Sequence, residues 1–139
     1  MLQQRGYRVV MTRDRDVYPS LEERWNLANR IGPDLFVSLH ADSCATPSVT
    51  GFTVYIAEGA SWTSKRAAQS IADSLASLGR NSRGVRPAKY KVLINTRCPA
   101  VLVEMGYLTN YWEARQLNDT GVQARIAQAI VAGIERTIR

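Results

Sequence analysis

Apolar positions recur at two spacings along this chain, and the switches between them divide it into elements. Leu21, Trp25, Ala28 and Ile31 share one helical face within residues 20–32. Ser20, with Glu23 three residues on, forms a capping box ahead of them, and Gly32 and Pro33 close the run. From Trp62 to Leu78 the helical period continues through Ala68, Ile71, Ala72, Leu75 and Leu78. A third stripe, Val122, Ile126, Ile130, Val131 and Ile134, predicts a helix over 120–138.

Between these lie short runs of β-formers: "GYRVVMT" (6–12), "DLFVSLHAD" (34–42), "GFTVYIA" (51–57), "KVLIN" (91–95) and "AVLVEM" (100–105). The second is apolar on both faces from Leu35 to Leu39, as a strand covered by helices on either side should be. It is joined to the third by about nine residues, too few for a helical crossover. "MLQQR" reads as a last helical turn capped by Gly6. "GRNSRGVRPAKY" (79–90), rich in glycine, proline and cations, reads as a loop. Alternating strands and helices predict an α/β fold in three layers, with a mostly parallel central sheet and helices on both faces. At 139 residues, with no repeat or low-complexity tract, the chain is expected to form a single domain over 1–139.

Composition narrows the function. With 45% apolar and 22% charged residues the chain is globular rather than disordered. No run approaches the roughly 18–20 apolar residues a membrane span needs, and the N-terminus lacks the apolar stretch of a secretory signal. A net charge of +6 favours anionic partners, either nucleic acid or an acidic polymer such as a bacterial wall. Aromatic residues do not interleave the cations of 80–91 and no reader motif is present, which argues against nucleic acid. Cys44 and Cys98 allow one disulfide or two small buried side chains, and cannot make a four-cysteine metal site.

Polar chemistry in such sheets collects beyond the carboxyl ends of the strands. Two residues stand out there: His40, the only histidine, ending "LFVSLH", and Glu104, ending "AVLVE". Ser38 precedes His40 within the strand, but no G-x-S-x-G elbow exists and the strand lacks the sharp turn such a nucleophile needs, which argues against serine hydrolysis. A strand-end histidine alone reads as a structural residue, and a strand-end glutamate as an ion-pair partner. Together they suit another chemistry. A neutral imidazole ligates zinc, and a desolvated carboxylate has its pKa raised into the range of a general base for metal-bound water.

Read in order, "GYRVVMTRDRDVYPSLEERWNLANRIGPDLFVSLHAD", "GFTVYI", "RGV" and "PAVLVEMGYLTNYWEARQL" resemble the zinc-dependent N-acetylmuramoyl-L-alanine amidases. These cleave peptidoglycan between the glycan lactyl group and the first peptide residue. The resemblance implies one Zn2+, with His40 as a ligand and Glu104 as the catalytic carboxylate, peptidoglycan as partner, and a place in the cell envelope or outside the cell. It also gives Arg83 and Arg86, on the cationic loop, a choice between meeting stem-peptide carboxylates and simple solvation. The short 43–50 loop leaves no space for the helical insertion of regulated family members, which implies an open cleft.

The family pattern begins with a His-Gly-Gly strand and a helix bearing a glutamate, both contributing zinc ligands. This sequence starts near the end of that helix, so the first strand and most of the first helix are absent. The implied metal site is then incomplete, with Asp42, Cys44 and Cys98 as the loop residues left to substitute. The missing strand implies an exposed sheet edge and self-association through it. The alternative reading is an amidase-like domain that binds peptidoglycan, or regulates wall enzymes, without turnover.

Overall fold

A computed structural model of the chain describes residues 1–138. Four strands, β1 (Phe36–Asp42), β2 (Phe52–Ile56), β3 (Ser82–Pro87) and β4 (Ala100–Tyr107), form one sheet in the order β1-β4-β2-β3. β1 and β4 run parallel, as do β2 and β3, while β2 and β4 are antiparallel. The sheet is therefore mixed, with two of its three strand pairings parallel and one antiparallel. The reason lies in the nine residues 43–51, which turn the chain back so that β2 runs opposite to β1 with β4 between them.

Among the described residues five α-helices surround it: α1 (Leu21–Ile31), α2 (Trp62–Ala76), α3 (Lys91–Ile94), α4 (Tyr111–Leu117) and α5 (Thr120–Glu135). α1 has the expected capping box, Ser20 Oγ accepting from the Glu23 N–H and Glu23 accepting from the Ser20 N–H, and Gly32 ends it at φ +62°. α2 and α5 pack side by side on one face of the sheet. There Ile71, Leu75, Ile126, Ile130 and Ile134 bury the alternate residues Val101 and Val103 of β4 and Val54 of β2. The opposite face holds a smaller cluster, in which Val92 and Leu93 of α3 and Trp25 of α1 cover Phe36, Ala100, Leu102 and Tyr55.

Three elements differ from their sequence reading. Residues 91–94 are helical, not extended, because Val92 and Leu93 both bury in the same cluster, and consecutive strand residues point to opposite faces. Residues 82–87, read as part of a loop, form the edge strand β3. An edge tolerates a half-buried Arg83 and an exposed Arg86, a bulge beside Gly84 at φ +82°, and a terminal proline. Residues 6–12, read as a strand, pair with none of the four strands. Strand propensity is realised through cross-strand packing, and among the described residues that segment has no strand beside it. The preceding residues do form the expected turn, a 3-10 helix at Gln3–Arg5 capped by Gly6 at φ +86°.

Candidate active site

Register decides which side chains meet. His40 is the Cα partner of Glu104 in the parallel β1/β4 pair, and Thr53 is the partner of Glu104 in the antiparallel β2/β4 pair. By strand alternation Ser38 and His40 of β1, Leu102 and Glu104 of β4, and Thr53 and Tyr55 of β2 project from the same face, opposite the α2/α5 layer. The two residues singled out in the sequence are thus nearest neighbours on one face, near the rim where β1 and β4 end. β1 itself is an edge strand, so the pair lies towards the side of the sheet rather than between two central strands.

Glu104 is only 9% exposed, and its Oε2 is buried with no hydrogen-bond partner. Burial, reinforced by the negative charge of Asp42, raises its pKa to about 7. No cation pairs with it among the described residues. An ion-pair partner would hold the pKa down, whereas this carboxyl is poised to exchange a proton near neutral pH. His40 moves the other way. Burial first, then the charges of Arg24 and Arg13, lower its pKa against the opposing pull of Asp42, so it is neutral at pH 7. Its Nε2 shares a 2.8 Å hydrogen bond with Ser38 Oγ.

Tyr90, packed edge-to-face on Tyr55 at 5.2 Å between ring centroids, borders this face. Burial and the neighbouring Tyr55, Asp42 and Glu104 push its phenol up to about 12, so it remains a neutral hydroxyl. Neither Tyr90 nor Arg24 was legible as a site residue. Tyr90 ends a stretch read as loop, and Arg24 lies on the polar side of an ordinary amphipathic helix. Arg83 and Arg86 sit on β3 rather than on a loop. The Arg83 guanidinium lies over the Tyr107 ring at 5.6 Å, and Arg86 Nε donates to the Arg83 carbonyl. A wider groove of about 750 Å³ opens on the other face, beside Leu39, Met105, Leu108, Ile126 and Ile130, but no carboxylate, imidazole or thiol lines it.

The loop candidates do not gather around His40. Cys44 follows the carboxyl end of β1 and Cys98 precedes the amino end of β4; since these strands are parallel, the thiols lie at opposite ends of a seven-residue strand. That separation, about 20 Å at 3.3 Å per residue, excludes a disulfide, whose Cα atoms must approach within about 7 Å, and both cysteines are free. Asp42, two residues beyond His40, is displaced by a register shift that sets it opposite Tyr107. Among the described residues no three His, Cys, Asp or Glu side chains cluster as a metal site.

Against this geometry, the family model for N-acetylmuramoyl-L-alanine amidase matches residues 1–136. The chain belongs to that family. It is 35% identical over 136 residues to the probable cell wall amidase LytH of Staphylococcus epidermidis, covering 98% of this chain and 44% of LytH. It is 37% identical over 126 residues to the N-acetylmuramoyl-L-alanine amidase LytC of Bacillus subtilis, covering 89% of this chain and 25% of LytC. The chain therefore spans less than half the length of these curated relatives. In three dimensions it is similar to the catalytic domain of CwlV, an amidase from Bacillus (Paenibacillus) polymyxa var. colistinus, with a TM-score of 0.90 and 34% identity, covering 97% of this chain and 75% of that one.

Membership of the amidase family raises the question of zinc. A catalytic zinc ordinarily takes three protein ligands, and the described residues supply one imidazole with no second and third donor gathered to it. The donor set of this chain does not fit a resident zinc by itself. After dialysis against metal-free buffer, the purified chain is expected to retain well under one zinc per molecule by mass spectrometry of the metal. Stoichiometric retention would show that donors assemble in a way this geometry lacks.

Proposed function

We propose that this domain performs the proton transfers of peptidoglycan amide hydrolysis, at the bond between N-acetylmuramic acid and the L-alanine of the stem peptide, with Glu104 as the catalytic residue. One observation carries this reading: a buried carboxyl with an unpartnered oxygen and a pKa near 7, standing in register with the only imidazole of the chain. Glu104 takes a proton from water as the water oxygen attacks the amide carbonyl carbon. It returns that proton to the nitrogen as the C–N bond breaks, leaving a lactyl carboxyl and a free L-alanine amine. Zinc would supply Lewis-acid activation in the family this sequence resembles, with His40 at a ligand position; the described residues alone do not hold it.

The names of the relatives, a cell wall amidase and an N-acetylmuramoyl-L-alanine amidase, support peptidoglycan as the substrate and the cell envelope or exterior as the place of action. No described helix is long and apolar enough to cross a membrane. The net charge of +6 suits an anionic wall polymer. Arg83, close to the rim where β4 ends, and Arg86 three residues further along β3 are proposed to meet stem-peptide carboxylates.

The shortfall of metal donors favours a second reading, in which the domain binds peptidoglycan without turnover. Incubating the chain with purified peptidoglycan and added zinc separates the two. New L-alanine amino termini that depend on Glu104 support hydrolysis, whereas retention on the wall with no new termini supports binding alone. Equal retention by unrelated anionic polymers would reduce both to charge.

The outer edge of β1 is unpaired among the described residues, and Leu39 beside it is 55% exposed. Self-association through that edge is expected at high protein concentration. A monodisperse monomer in light scattering would overturn it.

A further inference from the structure

A second buried carboxylate, besides Glu104, lies close to the same strand ends. Glu113, 9% exposed on the first turn of α4, directs both oxygens at backbone amides, one at the end of β4, the strand that carries Glu104, and one just before the neighbouring β2. Its Oε1 accepts from the Gly51 N–H at 2.9 Å, and its Oε2 accepts from the Tyr107 N–H at 2.7 Å. Gly51 lies two residues before Thr53, the register partner of Glu104, and Tyr107 lies three residues after Glu104. The β2/β4 pairing ends at Thr53 and Glu104, and the Glu113 carboxylate ties the two chain segments together just beyond that point.

The surroundings are built for this carboxylate. A Cβ on Gly106, at φ +151°, would come within 3.1 Å of Glu113 Oε2, and a Cβ on Gly51, at φ +106°, would come within 2.7 Å of the Asn81 carbonyl. Both positions combine a backbone that favours glycine with a close approach. The Arg80 guanidinium stands 3.8 Å from Glu113 Oε1 and donates to the Met105 carbonyl, adding a third tie to the same stretch of β4. Asn110 caps α4 through the N–H groups of Trp112 and Glu113 and donates to the Pro47 carbonyl, which fixes the helix that delivers the carboxylate. In sequence this is the unit Gly106 to Glu113, in which the chain leaves β4, caps a helix and returns an acid to the strand it has just left.

We propose that Glu113 is a positioning residue for the hydrolysis: its bidentate tie between Gly51 and Tyr107 keeps the ends of β2 and β4 from splaying and so holds Glu104 in its reactive orientation. This rests on the assignment of Glu104 as the catalytic residue. Misplacement of a catalytic group by about 1 Å costs on the order of 100-fold in rate. Glu113→Gln, which keeps the shape but replaces one acceptor oxygen with a donor facing an N–H, is therefore expected to lower kcat at least about 10-fold. KM on a soluble peptidoglycan fragment, with zinc supplied, should stay unchanged, with rates expressed per folded molecule from near-UV circular dichroism. Asn110→Ala, which loosens the delivery of Glu113, should lower kcat in the same direction, and it carries the test where Glu113→Gln does not fold. Reduced thermal stability with kcat unchanged per folded molecule, in whichever variant folds, would overturn the proposal and leave Glu113 a purely structural tie. Full turnover in Glu104→Gln would instead overturn the reading on which it rests.

Discussion

Replacing Glu104 with Gln is expected to lower amide hydrolysis by about 100- to 10,000-fold, the range contributed by a positioned general base, while making the fold more stable above pH 7. Both effects have one origin. The carboxyl is held in a site where one oxygen has no partner and where Asp42 adds like charge, so its ionised form is disfavoured and its pKa is about 7 against an ordinary 4.5. Below about pH 4.5 the group is protonated in both folded and unfolded chains, and it does not affect their balance. Between 4.5 and 7 the unfolded chain releases the proton and the folded chain keeps it, so stability falls as pH rises. Above 7 the penalty is complete, on the order of 3 kcal/mol.

Gln cannot ionise and avoids that penalty. In urea unfolding the variant and the parent should therefore match at pH 4, with the variant the more stable at pH 8. A variant equally stable or weaker at pH 8 would mean that the carboxylate is compensated in the native chain, and retained hydrolysis would remove Glu104 from the mechanism. The two measurements are independent, since the stability difference is expected whether or not the domain turns over substrate.

What could be read from the sequence was what local chemistry and packing specify together. The Ser20/Glu23 box and Gly32 mark α1 to within a residue, because capping bonds and the amphipathic stripe point to the same boundaries. His40 and Glu104 were visible as polar residues ending apolar runs, and the structure makes them register partners. Strand order and direction were not visible locally. The mixed sheet follows from which strands β4 inserts between, a long-range outcome that no window of sequence contains. The segment 91–94 has β-forming residues and becomes helical because Val92 and Leu93 share one pocket.

Site residues fared likewise. Glu113 lay unremarked inside a stretch quoted for resemblance, since an acid in the first turn of a short helix is the commonest of surface features. Only the folded chain shows its oxygens turned inward onto Gly51 and Tyr107. The converse error concerns Cys98, adjacent to the site on paper because loops precede and follow every strand. Once β1 and β4 are known to be parallel, it belongs to the opposite rim.

Gly133→Ala is expected to destabilise the domain by about 2 kcal/mol, the middle of the range for overpacking a close-packed core, although the same change at an exposed helical site would add up to about 1 kcal/mol of stability through helix propensity. Which effect wins depends on the neighbour. At Gly133, within α5, a Cβ would stand 2.6 Å from the Cα and 2.7 Å from the backbone N of Ile71 on α2. A flexible side chain can rotate away from such a contact, but helix backbone cannot, so the two helices must part. Ile71 is fully buried in the main core with Val101 and Val103 of β4, and parting the helices loosens that packing. For a domain of this size the loss corresponds to a fall in Tm of about 5–10 °C, measurable by calorimetry. Because the α2/α5 layer backs the face of the sheet opposite Glu104 and His40, rates per folded molecule should hold near the parent value. A rise in Tm would show that the helices already have room, and a collapse of kcat in folded protein would show that the sheet transmits the displacement to its other face.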